Sequence, residues 1–182
     1  MATTKLMTAE EFLLLGDANW RHELIRGGMV QLPPAGPRHG ELSLQIASNL
    51  WDFVSDRNLG VVTGSETGFT VARDPDVVLS PDGAFVQTAR LPDGEAPEGY
   101  FEGAPDLIVE IISATDKYVY VNEKIVFYLE SGAQLIWVVD PFCQLVTAYY
   151  SDRTGGLLMI EDELDGGEVL PGFRVPVAEI FE

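Results

Sequence analysis

An aliphatic run at residues 107–112 constrains the fold of this chain more than any other feature of its sequence. The run consists of Leu, Ile and Val apart from one charged residue, Glu110. Such a run is typical of a central strand that is covered on both faces. A helix is predicted at about residues 115–131, with Gly132 as its C-cap, and a second buried strand at residues 135–139. Strand, helix and strand at this spacing predict a βαβ crossover whose two strands are parallel neighbours.

The rest of the pattern predicts a mixed sheet flanked by helices. Thr8 and Glu11 form a capping box before a short helix, and Gly27 and Gly28 separate two apolar segments, as in a β-hairpin. Apolar residues recur at helical spacing over residues 38–56. Short strands are predicted at residues 61–63, 68–72, 77–79, 83–87, 145–150 and 157–160, and the loop at residues 90–105 is interpreted as a candidate flap over a site. We expect one α/β domain over residues 1–182.

The charge of the chain argues against tight binding to nucleic acid. The 29 acidic and 11 basic residues give a formal net charge of −18, and an acidic surface repels a phosphate backbone. The basic residues are scattered, and no segment is predicted as a basic arm. A function on DNA must therefore explain how DNA is tolerated, and metal ions at the site and a local basic rim could do so, although the sequence shows neither.

The cysteine content and the length of the apolar segments indicate in which cellular compartment the chain is expected. Cys143 is the single cysteine, so neither an intramolecular disulfide nor a thiolate zinc site is expected. No apolar run is long enough to span a bilayer, and the first residues do not resemble a signal peptide. We therefore expect a cytoplasmic protein that is not bound to membranes.

Two carboxylates are candidate ligands of a divalent metal. Glu110 lies within a strand predicted to be buried on both faces, which costs several kcal/mol unless the charge is paired or bound to a cation. Asp82 lies between two predicted strands, and acids from neighbouring strands can hold a hard cation such as Mg²⁺ or Mn²⁺. The alternative for Glu110 is a strand end where it reaches water or forms a salt bridge with a lysine, and the alternative for Asp82 is an ordinary Pro-Asp turn. Asp106, at the mouth of the same strand, is interpreted equally well as a structural cap.

Lys124 and His39 are the other candidate site residues. Lys117, Val121, Lys124 and Tyr128 recur at helical spacing, so we expect one stripe that brings a lysine over the sheet near Glu110. A lysine there could orient water or neutralise charge on a phosphate, although a helix-surface lysine fits the pattern as well. His39 lies in the first turn of the helix predicted at residues 38–56. It could act as a base, contact a phosphate or be a hydrogen-bonded core residue.

Several other enzyme classes lack their signatures in this sequence. We find no glycine-rich phosphate loop, no Gly-x-Ser-x-Gly motif and no cluster of Cys and His residues with metal-ligand spacing. A carboxylate site is therefore the main candidate for chemistry.

At these residues the sequence resembles the Uma-two family of putative restriction endonucleases, within the PD-(D/E)XK nuclease superfamily. The resemblance rests on ordered segments at residues 7–12, 22–28, 37–40, 80–82, 104–110, 123–124, 137–141 and 170–173. It implies a restriction-endonuclease-like fold and a metal-dependent nuclease with Asp82 and Glu110 as its acids. The superfamily's usual lysine position holds Ile112, and the chain resembles variants whose lysine has moved to the following helix, which matches Lys124.

Two functions follow from these expectations. The first is a Mg²⁺-dependent DNA endonuclease, for which a homodimer would supply the cuts in both strands. The second is a catalytically silent nuclease-fold module that binds a protein partner or oligomerises, which the net charge and Ile112 favour. A basic rim around Asp82 and Glu110 would support the first function, and an acidic rim would support the second.

Overall fold

The structure is a computed structural model that describes residues 5–16 and 21–182. Its first elements form as predicted. Helix α1 (Ala9–Leu13) begins at Thr8, whose side chain accepts a hydrogen bond from the backbone of Glu11. Strands β1 (Arg21–Ile25) and β2 (Gly28–Leu32) pair antiparallel. Both residues of the connecting turn, Arg26 and Gly27, have positive φ, which explains the glycine at the second position.

A six-stranded mixed sheet forms the centre of the fold. Its strands, in spatial order, are β11 (Gly155–Leu158), β10 (Leu145–Tyr150), β9 (Leu135–Asp140), β8 (Leu107–Ile111), β6 (Gly83–Gln87) and β3 (Gly60–Gly64). Strands β8 and β9 are parallel, and the remaining pairs are antiparallel. Helix α3 (Tyr118–Glu130) connects β8 to β9, so the predicted βαβ unit is confirmed.

Side chains of β8 alternate between two cores. Leu107, Val109 and Ile111 pack with the long helix α2 (Pro37–Arg57) and the terminal helix α4 (Val177–Phe181). Ile108 packs on the opposite face with residues of α3. Burial on both faces explains why the sequence of this strand is almost entirely aliphatic.

A second sheet of five strands packs beside α3. Its spatial order is β2, β1, β5 (Val77–Leu79), β4 (Phe69–Ala72) and β7 (Phe101–Glu102), and a separate pair is formed by β12 (Glu163–Asp165) and β13 (Arg174–Pro176). None of the helices in the described ranges has the length and apolar character that crossing a membrane requires.

Two sequence predictions are corrected. Helix α3 begins at Tyr118 rather than at residue 115, because the Asp116 carboxylate accepts a hydrogen bond of 2.7 Å from the backbone N–H of Ser113 and holds a turn there. The loop at residues 90–105 is not a flap over the site. Leu91 and Phe101 anchor it in the core, and none of its residues lines the clefts described below.

Asp106 is a structural residue at the far end of β8 from the candidate site. Its side chain is fully buried and accepts hydrogen bonds of 2.8 Å from the Gln87 backbone N–H and from the Gln134 amide. The Arg90 guanidinium lies 3.1 Å from the same carboxylate. These partners compensate for the burial of the charge.

We therefore expect Asp106→Ala to lower the free energy of unfolding by about 3–5 kcal/mol, because it leaves buried donors without an acceptor. Urea denaturation would measure the change. The exposed Glu95 is a matched control, and Glu95→Ala should change the stability by about 0.5 kcal/mol or less. Equal losses in the two variants would contradict the role given to Asp106.

Candidate functional site

Glu110 meets two side chains of α3 at the end of β8. The Lys124 ammonium lies 2.7 Å from Glu110 Oε1, and the Tyr128 hydroxyl donates a hydrogen bond of 2.7 Å to the same oxygen. Lys124 and Tyr128 are four residues apart, so they lie on one side of the helix. The Glu110 side chain is 12 % exposed, which leaves it a narrow opening to solvent. The proximity of Lys124 to Glu110 is what the helical stripe predicts.

Lys117 does not belong to this cluster. It is the N-cap residue of α3 and is exposed, and its ammonium lies 5.8 Å from the centre of the Tyr120 ring. The prediction that Lys117 extends the stripe is wrong, because the helix begins one residue after it.

Glu23 is a third acid at this point, and it is not among the site residues predicted from the sequence. Its carboxylate is buried on β1, where Oε1 lies 3.0 Å from the Lys124 ammonium and accepts a hydrogen bond of 3.2 Å from the Ser80 backbone N–H. Lys124 therefore lies between two carboxylates from different sheets. The signal was present in the sequence: Glu23 precedes Leu24 and Ile25, and an acid in an apolar strand requires a buried partner.

Burial and neighbouring charges set the protonation of this cluster. Burial raises the pKa of Glu110 to about 7; the Lys124 charge opposes this shift, and Asp82 and Glu23 add to it. Burial lowers the pKa of Lys124, but the charges of Glu110 and Glu23 raise it by a larger amount, so the pKa lies above its ordinary value. Burial and the charge of Glu110 raise the pKa of Tyr128 well above its usual value. Lys124 is thus a cation, and Tyr128 a neutral donor, at neutral pH.

Asp82 lies directly before β6 and contacts the end of β8. Its Oδ2 accepts a hydrogen bond of 2.8 Å from the Ile111 backbone N–H, and its own N–H donates to the carbonyl of Val109 at 2.9 Å. The side chain is 3 % exposed. These contacts fix the Asp82 carboxylate at the same strand end as Glu110, where its charge raises the pKa of Glu110.

His39 approaches the same point from the first turn of α2. Its Nε2 lies 3.2 Å from Asp82 Oδ2 and 3.1 Å from the Ile111 carbonyl oxygen. Ser43, one turn further along α2, donates a hydrogen bond of 2.8 Å to the carbonyl of Asp82. Helix α2, which the sequence predicts at residues 38–56, therefore brings His39 to Asp82.

Two adjoining openings expose these side chains. The first, here called the main cleft, has a volume of about 640 Å³ and is lined by residues 32–39, 82, 110–116, 124, 141 and 142. The second, here called the side pocket, has a volume of about 330 Å³ and is lined by residues 23, 25, 30–33, 110–112, 115–117, 120, 121, 123 and 124. Both include Glu110 and Lys124, so a ligand could occupy the two openings at once.

The charged residues around these openings are mixed in sign. The acids among the lining residues are Glu23, Asp82, Glu110, Asp116 and Glu123, and the bases other than His39 are Arg38, Lys117 and Lys124. One of these bases, Arg38, pairs with Glu41 at 2.8 Å. Among the lining residues that the structure describes, acids therefore outnumber bases, and these residues supply no basic rim.

Comparison with known proteins agrees with the fold and the family. A sequence profile described as Uma2, "Putative restriction endonuclease", matches residues 9–178. The crystal structure of a putative nuclease belonging to DUF820 from Anabaena variabilis ATCC 29413 superposes with a TM-score of 0.83 at 22% identity, and covers 96% of this chain and 97% of that one. At this identity the likeness establishes the fold. No match was found among curated proteins.

The family profile covers almost the whole chain, in agreement with the resemblance of its ordered motifs and with the mixed sheet flanked by helices. The chain therefore belongs to the Uma2 (Uma-two) family of putative restriction endonucleases.

Proposed function

We propose that this chain is a divalent-metal-dependent endonuclease that hydrolyses DNA phosphodiester bonds. The ion pair between Lys124 and Glu110 is the observation that carries the proposal, because it joins an acid and a cation at 2.7 Å in a largely buried site that opens to a cleft. Nuclease families of this fold generally use divalent metal ions. The identity of the ion as Mg²⁺ or Mn²⁺ belongs to the proposal.

The donor set at the site suits a hard cation. The contacts of Glu110 with Lys124 and Tyr128 both use Oε1, so Oε2 is the Glu110 oxygen that a metal ion would contact in this proposal. No group of three or more His, Cys, Asp and Glu residues in the described ranges has a metal-binding arrangement. Mg²⁺ is usually held by one or two carboxylates together with phosphate oxygens and water, so Asp82 and Glu110 would be sufficient protein ligands.

The other residues have distinct roles in this proposal. Because Lys124 stays protonated, it would donate to the attacking water or to a phosphate oxygen rather than accept a proton. His39 would position Asp82 through its contact with Oδ2. A divalent ion, when bound, lowers the pKa of a coordinated water and offsets negative charge on the phosphate.

A second candidate function is a catalytically silent module that binds a protein partner or a second copy of the chain. The excess of acids around the clefts favours it, as do the exposed apolar side chains near their mouths. Tyr118 is 82% exposed, Val119 71% and Phe142 66%. The homodimer and the cytoplasmic location stay predictions of the sequence.

The direct test is calorimetric titration with Mg²⁺ and Mn²⁺, followed by cleavage assays on plasmid, linear duplex and single-stranded DNA. We expect Glu110→Gln to abolish metal binding, because the amide keeps the shape of the side chain but loses its charge. Circular dichroism should show that the variant is folded. Metal affinity equal to that of the wild type would remove Glu110 from the metal site.

Lys124→Ala should reduce the cleavage rate by about 10²- to 10³-fold, the size expected for one charge contact in a site that excludes water. Metal affinity should not fall, because an ammonium group is not a metal ligand. Lys5→Ala is the matched control, because this lysine is exposed and lines neither opening, and it should be dispensable for cleavage. Lys117→Ala tests the other lysine that lines the side pocket, and it should cost less than Lys124→Ala. A large loss with Lys117→Ala and none with Lys124→Ala would contradict the assignment.

The protonation of Glu110 predicts a pH dependence of stability in metal-free buffer. Its pKa in the folded chain, about 7, lies above the ordinary value of 4.5. Between these two pKa values the folded state therefore binds more protons than the unfolded state does. The contribution of Glu110 to stability is lost as the pH rises through about 7. The stability of Glu110→Gln relative to the wild type should thus increase between about pH 5 and pH 8. The exposed Glu98 is the control, and the stability difference between Glu98→Gln and the wild type should be the same at every pH in this range. A stability difference for Glu110→Gln that is equally independent of pH would mean that the pKa of Glu110 is ordinary, and would contradict the prediction.

A further inference from the structure

The side pocket is a largely apolar opening directly beside Lys124 and Glu110. Ile25, Val30 and Leu32 form one wall from the β1–β2 hairpin. Tyr120 and Val121, from the first turns of α3, form the other. Its volume of about 330 Å³ is at the lower end of the range of small-ligand sites.

The hairpin wall has a defined orientation. Val30 is the cross-strand partner of Glu23, so the two side chains project from the same face of the hairpin, the face that meets Lys124. Arg26, in the hairpin turn, forms an ion pair with Glu123 of α3, and its guanidinium lies 5.1 Å from the centre of the Phe127 ring. These contacts hold the two walls of the side pocket apart at a set distance.

We propose that the side pocket holds an unpaired nucleobase of a single-stranded DNA substrate whose scissile phosphate lies against Lys124 in the main cleft. The inference rests on the proposed nuclease function and specifies its substrate. Both openings include Glu110, Ile112 and Lys124, so a base in one and its phosphate in the other can belong to one nucleotide.

The chemistry of the walls favours a base over other occupants. Tyr120 is 58% exposed and presents an aromatic ring on which a base can stack, and aliphatic side chains form the opposite wall. Enzymes that bind an extruded base enclose it between aromatic and apolar side chains in the same manner. The polar residue Thr115 also lines the pocket and can meet the base edge.

The charge of the chain points in the same direction. Duplex binding depends on many Lys and Arg contacts to phosphates, whereas the walls here contain more acids than bases. Base stacking supplies binding energy without phosphate neutralisation. A net charge of −18 is therefore more compatible with a single strand held by a stacked base than with a duplex held by its backbone.

The test compares two aromatic residues of α3. Binding of a fluorescein-labelled oligothymidylate, with Ca²⁺ present, is followed by fluorescence anisotropy. Tyr120→Ala should weaken binding by about 5- to 150-fold, the loss of one stacked base. Tyr118→Ala is the matched control, because Tyr118 is exposed on the same helical turn but lines neither opening, and it should leave affinity unchanged.

A second pair of variants tests the hairpin wall of the pocket. Val30→Trp would occupy the side pocket from the edge strand β2, where the side chain is 39% exposed and a larger residue can be accommodated. It should abolish binding of the single strand. Met29→Trp, on the opposite face of the same strand and 52% exposed, should have no effect.

The wild type should bind and cleave the single strand in preference to the duplex of the same sequence. Equal or better binding of the duplex, or equal effects of Tyr120→Ala and Tyr118→Ala, would overturn the inference. Competition by thymidine monophosphate as strong as that of the oligonucleotide would also overturn it, in favour of a free nucleotide. Cleavage without pocket dependence would leave the nuclease function standing alone, and pocket-dependent binding without cleavage would leave the pocket assignment standing alone.

Discussion

The position of Lys124 between Glu110 and Glu23 is the interaction on which the rest of the site depends. It joins three elements that are distant in sequence: the central strand β8, the hairpin strand β1 and the helix α3. Buried charges are tolerated only when they are paired and hydrogen-bonded, and Tyr128 and the Ser80 backbone complete the pairing. The ion network therefore fixes how α3 lies over the sheet and how the hairpin lies against α3.

The same network connects the fold to the proposed chemistry. A lysine between two carboxylates is held as a cation, and an acid in a closed site beside other acids has a raised pKa. Position 112, directly after β8, holds an isoleucine that packs against the apolar core, and the cation reaches Glu110 from the helix instead. A helix above the strand end can thus deliver a lysine to the acid without placing the lysine itself on the strand.

Sequence reasoning succeeded where the pattern was local. The aliphatic run around Glu110 identified β8, and helical spacing identified the side of α3 that carries Lys124. It failed for Glu23, whose partner lies about a hundred residues later, and for Lys117, because the turn held by Asp116 moves the start of the helix. It also missed the parallel pairing of the two-residue strand β7 with β4, because that contact depends on tertiary packing rather than on propensity.

The central claim is that Asp82 and Glu110 hold a divalent ion beside Lys124. A crystal structure of the protein with Mn²⁺ and an uncleavable single-stranded oligonucleotide, with anomalous diffraction data, tests it most directly. The account predicts one anomalous peak at about 2.0–2.6 Å from an oxygen of each carboxylate, with Lys124 directed at the phosphate rather than at the metal. The contradicting result is a crystal grown at saturating Mn²⁺ that shows no anomalous peak between the two carboxylates, with Lys124 still on Glu110 and no phosphate in the main cleft.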